Sequence, residues 1–200
     1  MESISKELIS RIIKKRKSAT YKGNYGRLLL IGGSKKYGGA LIMAAEGALN
    51  SGAGLVTVAT DQVNIPALHT RDPEIMALNW DESVELKNLI KNVDVVVCGM
   101  GLGLDDKAQQ ILRLVRDNIT LKQTLILDAS ALDLIGQHTD LLPLNSKVLI
   151  FTPHQMEWQR LSGIKISDQS DELNQAALNK LVKNKNAILV LKSNHTKVYD

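Results

Sequence analysis

Asp94-Val95-Val96-Val97-Cys98-Gly99-Met100-Gly101-Leu102-Gly103 is the stretch on which the reading of the fold turns. Four apolar residues follow an acid, and three alternating glycines close the run. β-Branched valines suit a pleated strand, and an uninterrupted apolar run suits one buried on both faces. Glycines at its end let the backbone turn sharply and lie close to a ligand. Asp105 and Asp106 then open a helical run from Ala108 to Val115, acids being favourable at a helix N-terminus. Strand, glycine turn and helix together make the form of a phosphate or nucleotide site.

Working outward, the same alternation recurs. Strands are predicted at Arg27–Ile31, Leu55–Ala59, Glu74–Leu78, Thr124–Leu127, Val148–Phe151 and Ala187–Leu191, with Thr196–Tyr199 pairing back as a hairpin. Helices are predicted at Ala40–Asn50, Val63–His69, Val84–Ile90, Ala131–Ile135 and Leu173–Val182. Ser130 is expected to cap the Ala131 helix and Gly136 to end it. Thr152 is expected to cap another helix, with Pro153 at its first position and Gln155 as capping partner, running to Ser162-Gly163. Ile4, Leu8, Ile9, Ile12 and Ile13 recur at helical spacing ahead of Lys14-Lys15-Arg16-Lys17, which reads as an amphipathic leading helix with a solvated basic end. Strands alternating with helices imply an α/β fold, a mainly parallel sheet with helices on both faces.

Composition narrows the function. Residues 1–27 carry eight Lys/Arg against two Glu, whereas the remainder carries 17 against 19. The basic balance therefore belongs to the N-terminal segment and does not describe a nucleic-acid-binding domain. Cys98 alone, inside an apolar strand, excludes an internal disulfide and fits a reducing, cytoplasmic setting, where it reads as a small buried hydrophobe. No apolar run reaches membrane-spanning length.

Five strands end in polar or glycine clusters: Gly32-Gly33-Ser34, Gly99 to Gly103, Asp128-Ala129-Ser130, Thr152-Pro153-His154, and Lys192 to Thr196. In an open parallel sheet these carboxyl ends share one edge, where ligands bind at a topological switch point. Backbone N–H donors, a carboxylate, an imidazole and an ammonium suit a phosphorylated anion. Two familiar motifs fail. A P-loop would need Gly-Lys-Ser/Thr where Gly38-Gly39 stand, and a Rossmann fingerprint needs a third glycine where Leu104 stands. His154 reads as a site residue, Trp158 as packing, and His69 and His138 as surface residues.

Nine stretches occur in one order: Lys22-Gly23-x-x-Gly26, Gly32-Gly33-Ser34, Gly39-Ala40, Ser51 to Val58, Pro73-Glu74-x-Met76, Gly101-Leu102-Gly103, Asp128-Ala129-x-Ala131-Leu132, Thr152-Pro153-His154-x-x-Glu157 with Arg160-Leu161, and Leu191-Lys192-x-x-x-Thr196. That order resembles the ADP/ATP-dependent NAD(P)H-hydrate dehydratase family, whose fold is ribokinase-like. The resemblance runs from Lys22 to the end. It implies a repair enzyme that dehydrates NADHX and NADPHX, with ADP or ATP as co-substrate and Mg2+ left open as its companion. It implies contacts to the hydrated dinucleotide from Ala40, Gly103 and His154. Lys192, Ser193, Asn194, His195 and Thr196 would hold the adenine nucleotide, with Gly101 and Asp128 in support. It also implies a homo-oligomer, a tetramer in the family.

Departures from the family pattern are Ser130 in place of a second aspartate, Met156 before the motif glutamate, and Ser193 after the motif lysine. The family's catalytic Gly-Thr-Gly-Asp has no counterpart up to Asp200. The expectation is a single domain over residues 1–200, cut short at its C-terminus and of little activity in this form. The alternatives are a sugar- or vitamin-like small-molecule kinase of the same fold, or a non-catalytic adenine-nucleotide-binding protein.

Overall fold

The apolar runs pair edge to edge in one eight-stranded sheet of order β3-β2-β1-β4-β5-β6-β7-β8. The strands are β1 (Arg27–Ile31), β2 (Leu55–Thr60), β3 (Met76–Asn79), β4 (Val95–Cys98), β5 (Thr124–Leu127), β6 (Val148–Phe151), β7 (Ala187–Leu191) and β8 (Lys197–Tyr199). All pair in parallel except β8, which folds back antiparallel on β7. The computed structural model describes residues 5–13, 15–183 and 186–200. The strand expectations therefore hold, with single-residue shifts at the ends of β2, β3 and β8 and a larger one at the start of β3, which begins at Met76 because Glu74 lies in the turn that follows α3.

Side-chain alternation divides the core in two. Leu29, Ile31, Val96, Cys98, Leu125, Leu127, Leu149, Phe151 and Leu189 face one side. There they meet α4 (Ser83–Asn92), α5 (Asp106–Asn118), α6 (Ser130–Gln137), α7 (Gln155–Ser162) and α8 (Asp171–Val182). Leu30, Val56 and Val58 face the other side, against α2 (Gly38–Asn50) and α3 (Ile65–Arg71). Helices thus cover both faces, as expected. On β5, β6 and β7 the residues of the second face, Ile126, Ile150 and Ile188, are only half-buried. Cys98 is fully buried, and desolvation pushes its thiol pKa up to about 12, so it behaves as a small apolar residue.

The register makes the strand ends coincide. Ile31 pairs with Cys98, Cys98 with Leu127, and Leu127 with Phe151. Gly32, Gly99, Asp128 and Thr152 therefore follow in one row at the carboxyl edge. The chain leaves β1 towards α2 on one side and β4 towards α5 on the other, so the switch point falls between β1 and β4. Here the backbones touch: the Gly33 N–H donates to the Met100 carbonyl (2.9 Å) and the Ser34 N–H to that of Gly101 (2.7 Å). A Cβ on Gly32 would stand 2.2 Å from the Met100 oxygen, and one on Gly99 (φ +130) 1.8 Å from that of Asp128.

Three local expectations are corrected. Ser130 does not cap α6 but is its first residue; Ala129, at φ 47, is the N-cap without a side-chain bond. The helix also passes Gly136 to end at Gln137. Thr152 does not cap α7. Pro153 stays outside the helix, His154 is the N-cap, and the capping partner is Glu157 in place of Gln155. The leading helix exists as α1 (Lys6–Ile12), but its apolar residues find no core: Ile9, Ile12 and Ile13 are exposed. Ile4 and Lys14 lie outside the described residues.

Trp158 is fully buried and donates from Nε1 to Asn174 Oδ1 (2.8 Å), which settles it as packing. Asn174 donates to the Tyr199 hydroxyl (3.2 Å), and Tyr199 donates to Asp171 Oδ1 (2.9 Å), which also accepts from Lys197 Nζ (2.7 Å). This network ties α7, α8 and β8 together. The bond from Lys197, then that from Tyr199, holds the Asp171 carboxyl below its ordinary pKa, and Asp171 raises that of Lys197.

A depressed carboxylate contributes stability that is present above its unfolded pKa, about 3.9. That contribution disappears as pH falls through the folded value. Lys197 loses its own contribution only as pH rises beyond about 10.4, the ordinary lysine value. In thermal melts, Asp171→Asn should therefore lower Tm at neutral pH, and the gap to the parent protein should close below about pH 4.

Backbone contact makes the second fold prediction. Gly99→Ala should destabilise by at least about 2–3 kcal/mol in urea unfolding, because strain and a backbone clash add. Gly47→Ala, in α2 with open space around it, should stabilise by about 0.5–1 kcal/mol.

Candidate functional site

Hydrogen bonds run along the carboxyl edge from β1 to β7. Past the β1–β4 contact, Gly103 (φ +91) donates its N–H to Ser130 Oγ (3.3 Å), tying the β4–α5 loop to the first turn of α6. Beside it, Asp128 Oδ1 accepts from Thr152 Oγ1 (2.9 Å) and from Lys192 Nζ (2.8 Å). Three neighbouring strand ends thus share one carboxylate oxygen. Lys192 also donates its N–H to the Pro153 carbonyl (2.8 Å) and forms a parallel bridge with His154, which prolongs the β6–β7 pairing by one step.

His154 serves the chain as a cap. Its Nδ1 accepts from the Met156 and Glu157 N–H groups (both 3.1 Å), so the ring proton of the neutral imidazole sits on Nε2. Nε2 lies 3.4 Å from Oε1 of the buried Glu157, whose Oε2 accepts the His154 N–H (2.8 Å). The imidazole is orientated from both ends and remains half-exposed at the rim.

At the switch point a cleft of about 480 Å³ opens between the Ser34–Tyr37 loop and the Leu102–Lys107 segment. Hollows of about 600 and 560 Å³ lie elsewhere, at the start of α4 and between the 139–144 segment, the end of α7 and α8. Position decides between them, since only the switch-point cleft opens on the row of strand ends. Gly103 lines it, and Ala40 sits in the first turn of α2, its N–H donating to the Tyr37 carbonyl (3.3 Å).

The expected site residues fall into two groups. Ala40, Gly101 and Gly103 gather at the switch point. Asp128, His154 and Lys192 gather at the ends of β5, β6 and β7, one to three strands beyond β4. Ser193, Asn194, His195 and Thr196 form the exposed β7–β8 turn and bond to one another: Ser193 Oγ donates to the His195 carbonyl (2.7 Å) and accepts the His195 N–H (3.1 Å). Among the described hydrogen bonds none links this turn to Ala40 or Gly103. At about 4.8 Å per strand, β1 to β7 spans roughly 19 Å.

Sequence reading assigned no role to Thr152 beyond a cap, to Ser130 beyond a cap and a lost carboxylate, or to Glu157. Only Glu157 left a signal, its spacing three residues after His154 being that of a capping box.

The family model described as NAD(P)H-hydrate dehydratase matches residues 28–200. The chain belongs to the NAD(P)H-hydrate dehydratase family. It is 47% identical over its full length to the ADP-dependent (S)-NAD(P)H-hydrate dehydratase of Lactiplantibacillus plantarum, spanning 69% of that protein. The Enterococcus faecalis protein of the same name is 46% identical and is spanned to 67%. The fold is the family's as well. A ribokinase-like superfamily protein from Enterococcus faecalis superposes with a TM-score of 0.92 at 44% identity, over 98% of this chain and 67% of its own. The Bacillus subtilis ADP/ATP-dependent NAD(P)H-hydrate dehydratase, co-crystallised with ATP and Mg2+, superposes with a TM-score of 0.78 at 25% identity, over 98% and 68%.

The Asp128–Lys192 pair is half-open to water, with side-chain exposures of 25% and 44%, so it adds little to stability. A double-mutant cycle of Asp128→Ala and Lys192→Ala in urea unfolding should give a coupling of about 1 kcal/mol or less.

Proposed function

We propose that this chain dehydrates NADHX and NADPHX back to NADH and NADPH, driven by hydrolysis of ADP or ATP. The observation that carries the reading is the continuous row of strand ends. It has a positioned ammonium and imidazole at one end, an open glycine-rich cleft at the other, and belongs to a chain 47% identical to a dehydratase of that name.

The chemistry asks for positioning more than for covalent work. Phosphoryl transfer to the ring hydroxyl forms an O–P bond as a P–O bond of the nucleotide breaks. The ring nitrogen lone pair then expels phosphate, and loss of the neighbouring carbon's proton restores the double bond. On this reading Lys192 faces a nucleotide phosphate, held in place by Asp128, while the 193–196 turn carries the rest of the nucleotide. Ala40, Gly103 and the half-exposed His154 face the hydrated dinucleotide, and Gly101 shapes the loop that carries Gly103. A Mg2+ fits as the nucleotide's companion, because Asp128 offers a carboxylate beside Lys192 and such an ion needs only one or two beside phosphates and water. When bound it would neutralise phosphate charge.

The reading takes the chain as one domain, in keeping with its single sheet. It also takes the enzyme as cytoplasmic and as a homo-oligomer, a tetramer by family resemblance. A lone buried thiol accords with the first, and exposed isoleucines on α1 accord with the second. Among the described residues no helix is long and apolar enough to cross a membrane.

The test is to mix the protein with NADHX and either ADP or ATP and follow the return of NADH absorbance together with phosphate release. Nucleotide consumption that requires a sugar- or vitamin-like alcohol, with no return of NADH, would mean a kinase instead. Lys192→Ala should weaken ADP or ATP binding by about 1–3 kcal/mol in calorimetry while leaving the melting curve nearly unchanged. Equal affinities for both proteins would remove Lys192 from the site.

A further inference from the structure

The switch-point cleft holds an imbalance that the proposed reaction leaves unexplained. Three lysines, Lys35, Lys36 and Lys107, and three aspartates, Asp61, Asp81 and Asp105, line it, so formal charge cancels. Their commitments do not cancel. Asp105 Oδ1 caps α5 by accepting the Ala108 N–H (2.9 Å), and Asp61 Oδ1 caps the turn before α3 by accepting the Val63 N–H (3.1 Å). Asp81 is paired with Lys107. Lys35 and Lys36 have no carboxylate within ion-pair distance among the described residues; Lys36 lies 5.5 Å from the centre of the Tyr37 ring.

Two uncommitted ammonium groups therefore flank a cavity whose every acid already has a partner. The half-exposed side chains of Tyr37 and Leu104 give the same cavity apolar walls. A volume of about 480 Å³ lies within the range of small-molecule sites. The cleft is continuous with Gly103, at the opposite end of the row from Lys192.

We propose that Lys35 and Lys36 form an anchoring subsite for the 2′-phosphate on the adenosine ribose of the dinucleotide, with Tyr37 and Leu104 flanking the adenosine. This rests on the dehydratase reading and adds to it a preference for the phosphorylated substrate. The 2′ position carries a near-dianionic phosphate in NADPHX and a neutral hydroxyl in NADHX, so uncommitted cations discriminate where shape does not. A third nucleotide phosphate, that of ADP or ATP, would make the same chemistry from another source, and the experiment separates the two.

Calorimetry with NADPH, NADH and ADP as probes on the parent protein and on the Lys35→Ala/Lys36→Ala variant tests the proposal without requiring turnover. The parent should bind NADPH about tenfold or more tightly than NADH, and the variant should bring the two within about twofold while ADP affinity stays unchanged. Lys35→Arg/Lys36→Arg should keep the preference, which separates charge from folding. A parent protein with no NADPH preference, a variant that weakens NADPH and NADH equally, or one that weakens ADP as much as NADPH would each overturn the proposal. Should the binding pattern appear in a protein that returns no NADH from NADHX, the subsite stands and the proposed reaction falls.

Discussion

Everything at the carboxyl edge depends on how closely the β1 and β4 exits approach each other. Gly32 and Gly99 are opposite neighbours by register, and each sits against a carbonyl oxygen of another segment at a distance no Cβ could share. The contacts are backbone on backbone, so no rotamer change relieves them. Glycine there removes the obstacle, and the Gly33 and Ser34 N–H groups then bond across the gap. The loops are pinned before any side chain is considered, which leaves Lys35, Lys36 and Gly103 displayed on a rigid frame. A site built on such a frame loses little entropy when a ligand arrives.

The other half of the rim is positioned by side chains instead. Asp128 gathers Thr152 and Lys192 because two successive parallel pairings bring β5, β6 and β7 out at the same level. The exposed pair contributes little stability, yet it limits the freedom of a four-carbon side chain. On the proposed reading, an arriving phosphate competes with Asp128 for Lys192. That competition would lower affinity while holding the ammonium in place beforehand.

Periodicity carried most of the fold. The valine run at β4 and the apolar runs of β1, β5, β6 and β7 could be read because one face is buried and the other at least half-buried, which leaves no polar position inside them. That the strand ends share an edge followed from the alternation of strand and helix, and the structure bears it out. Caps were less legible. Thr152-Pro153 looks like a helix entry, yet Pro153 stays outside the helix and the cap passes to His154, whose imidazole nitrogen does the work of a hydroxyl. Ala129 at positive φ broke the Ser130 assignment, since nothing in an alanine announces such a conformation. The α1 stripe showed which residues share a face but not whether anything covers it. Pairs such as Asp128 with Lys192 lie 64 residues apart and become visible only once the sheet is assembled.

Ser130 shows how the local charge of the rim differs from that of the chain. Residues 28–200 carry two more acids than bases, which by itself disfavours anionic ligands. Ser130 accepts the Gly103 N–H with a neutral hydroxyl, so the loop is held without a further negative charge on the edge. Asp128 is offset by Lys192, Asp81 by Lys107, and Asp61 and Asp105 by the N–H groups they cap. Each acid on the edge is thus spent on the fold or on a lysine. On the proposed reading, what an incoming nucleotide meets is the remainder: backbone N–H groups, one orientated imidazole, and the ammonium groups of Lys35 and Lys36. Placement of a few committed carboxylates, more than net charge, would then make this edge receptive to phosphate.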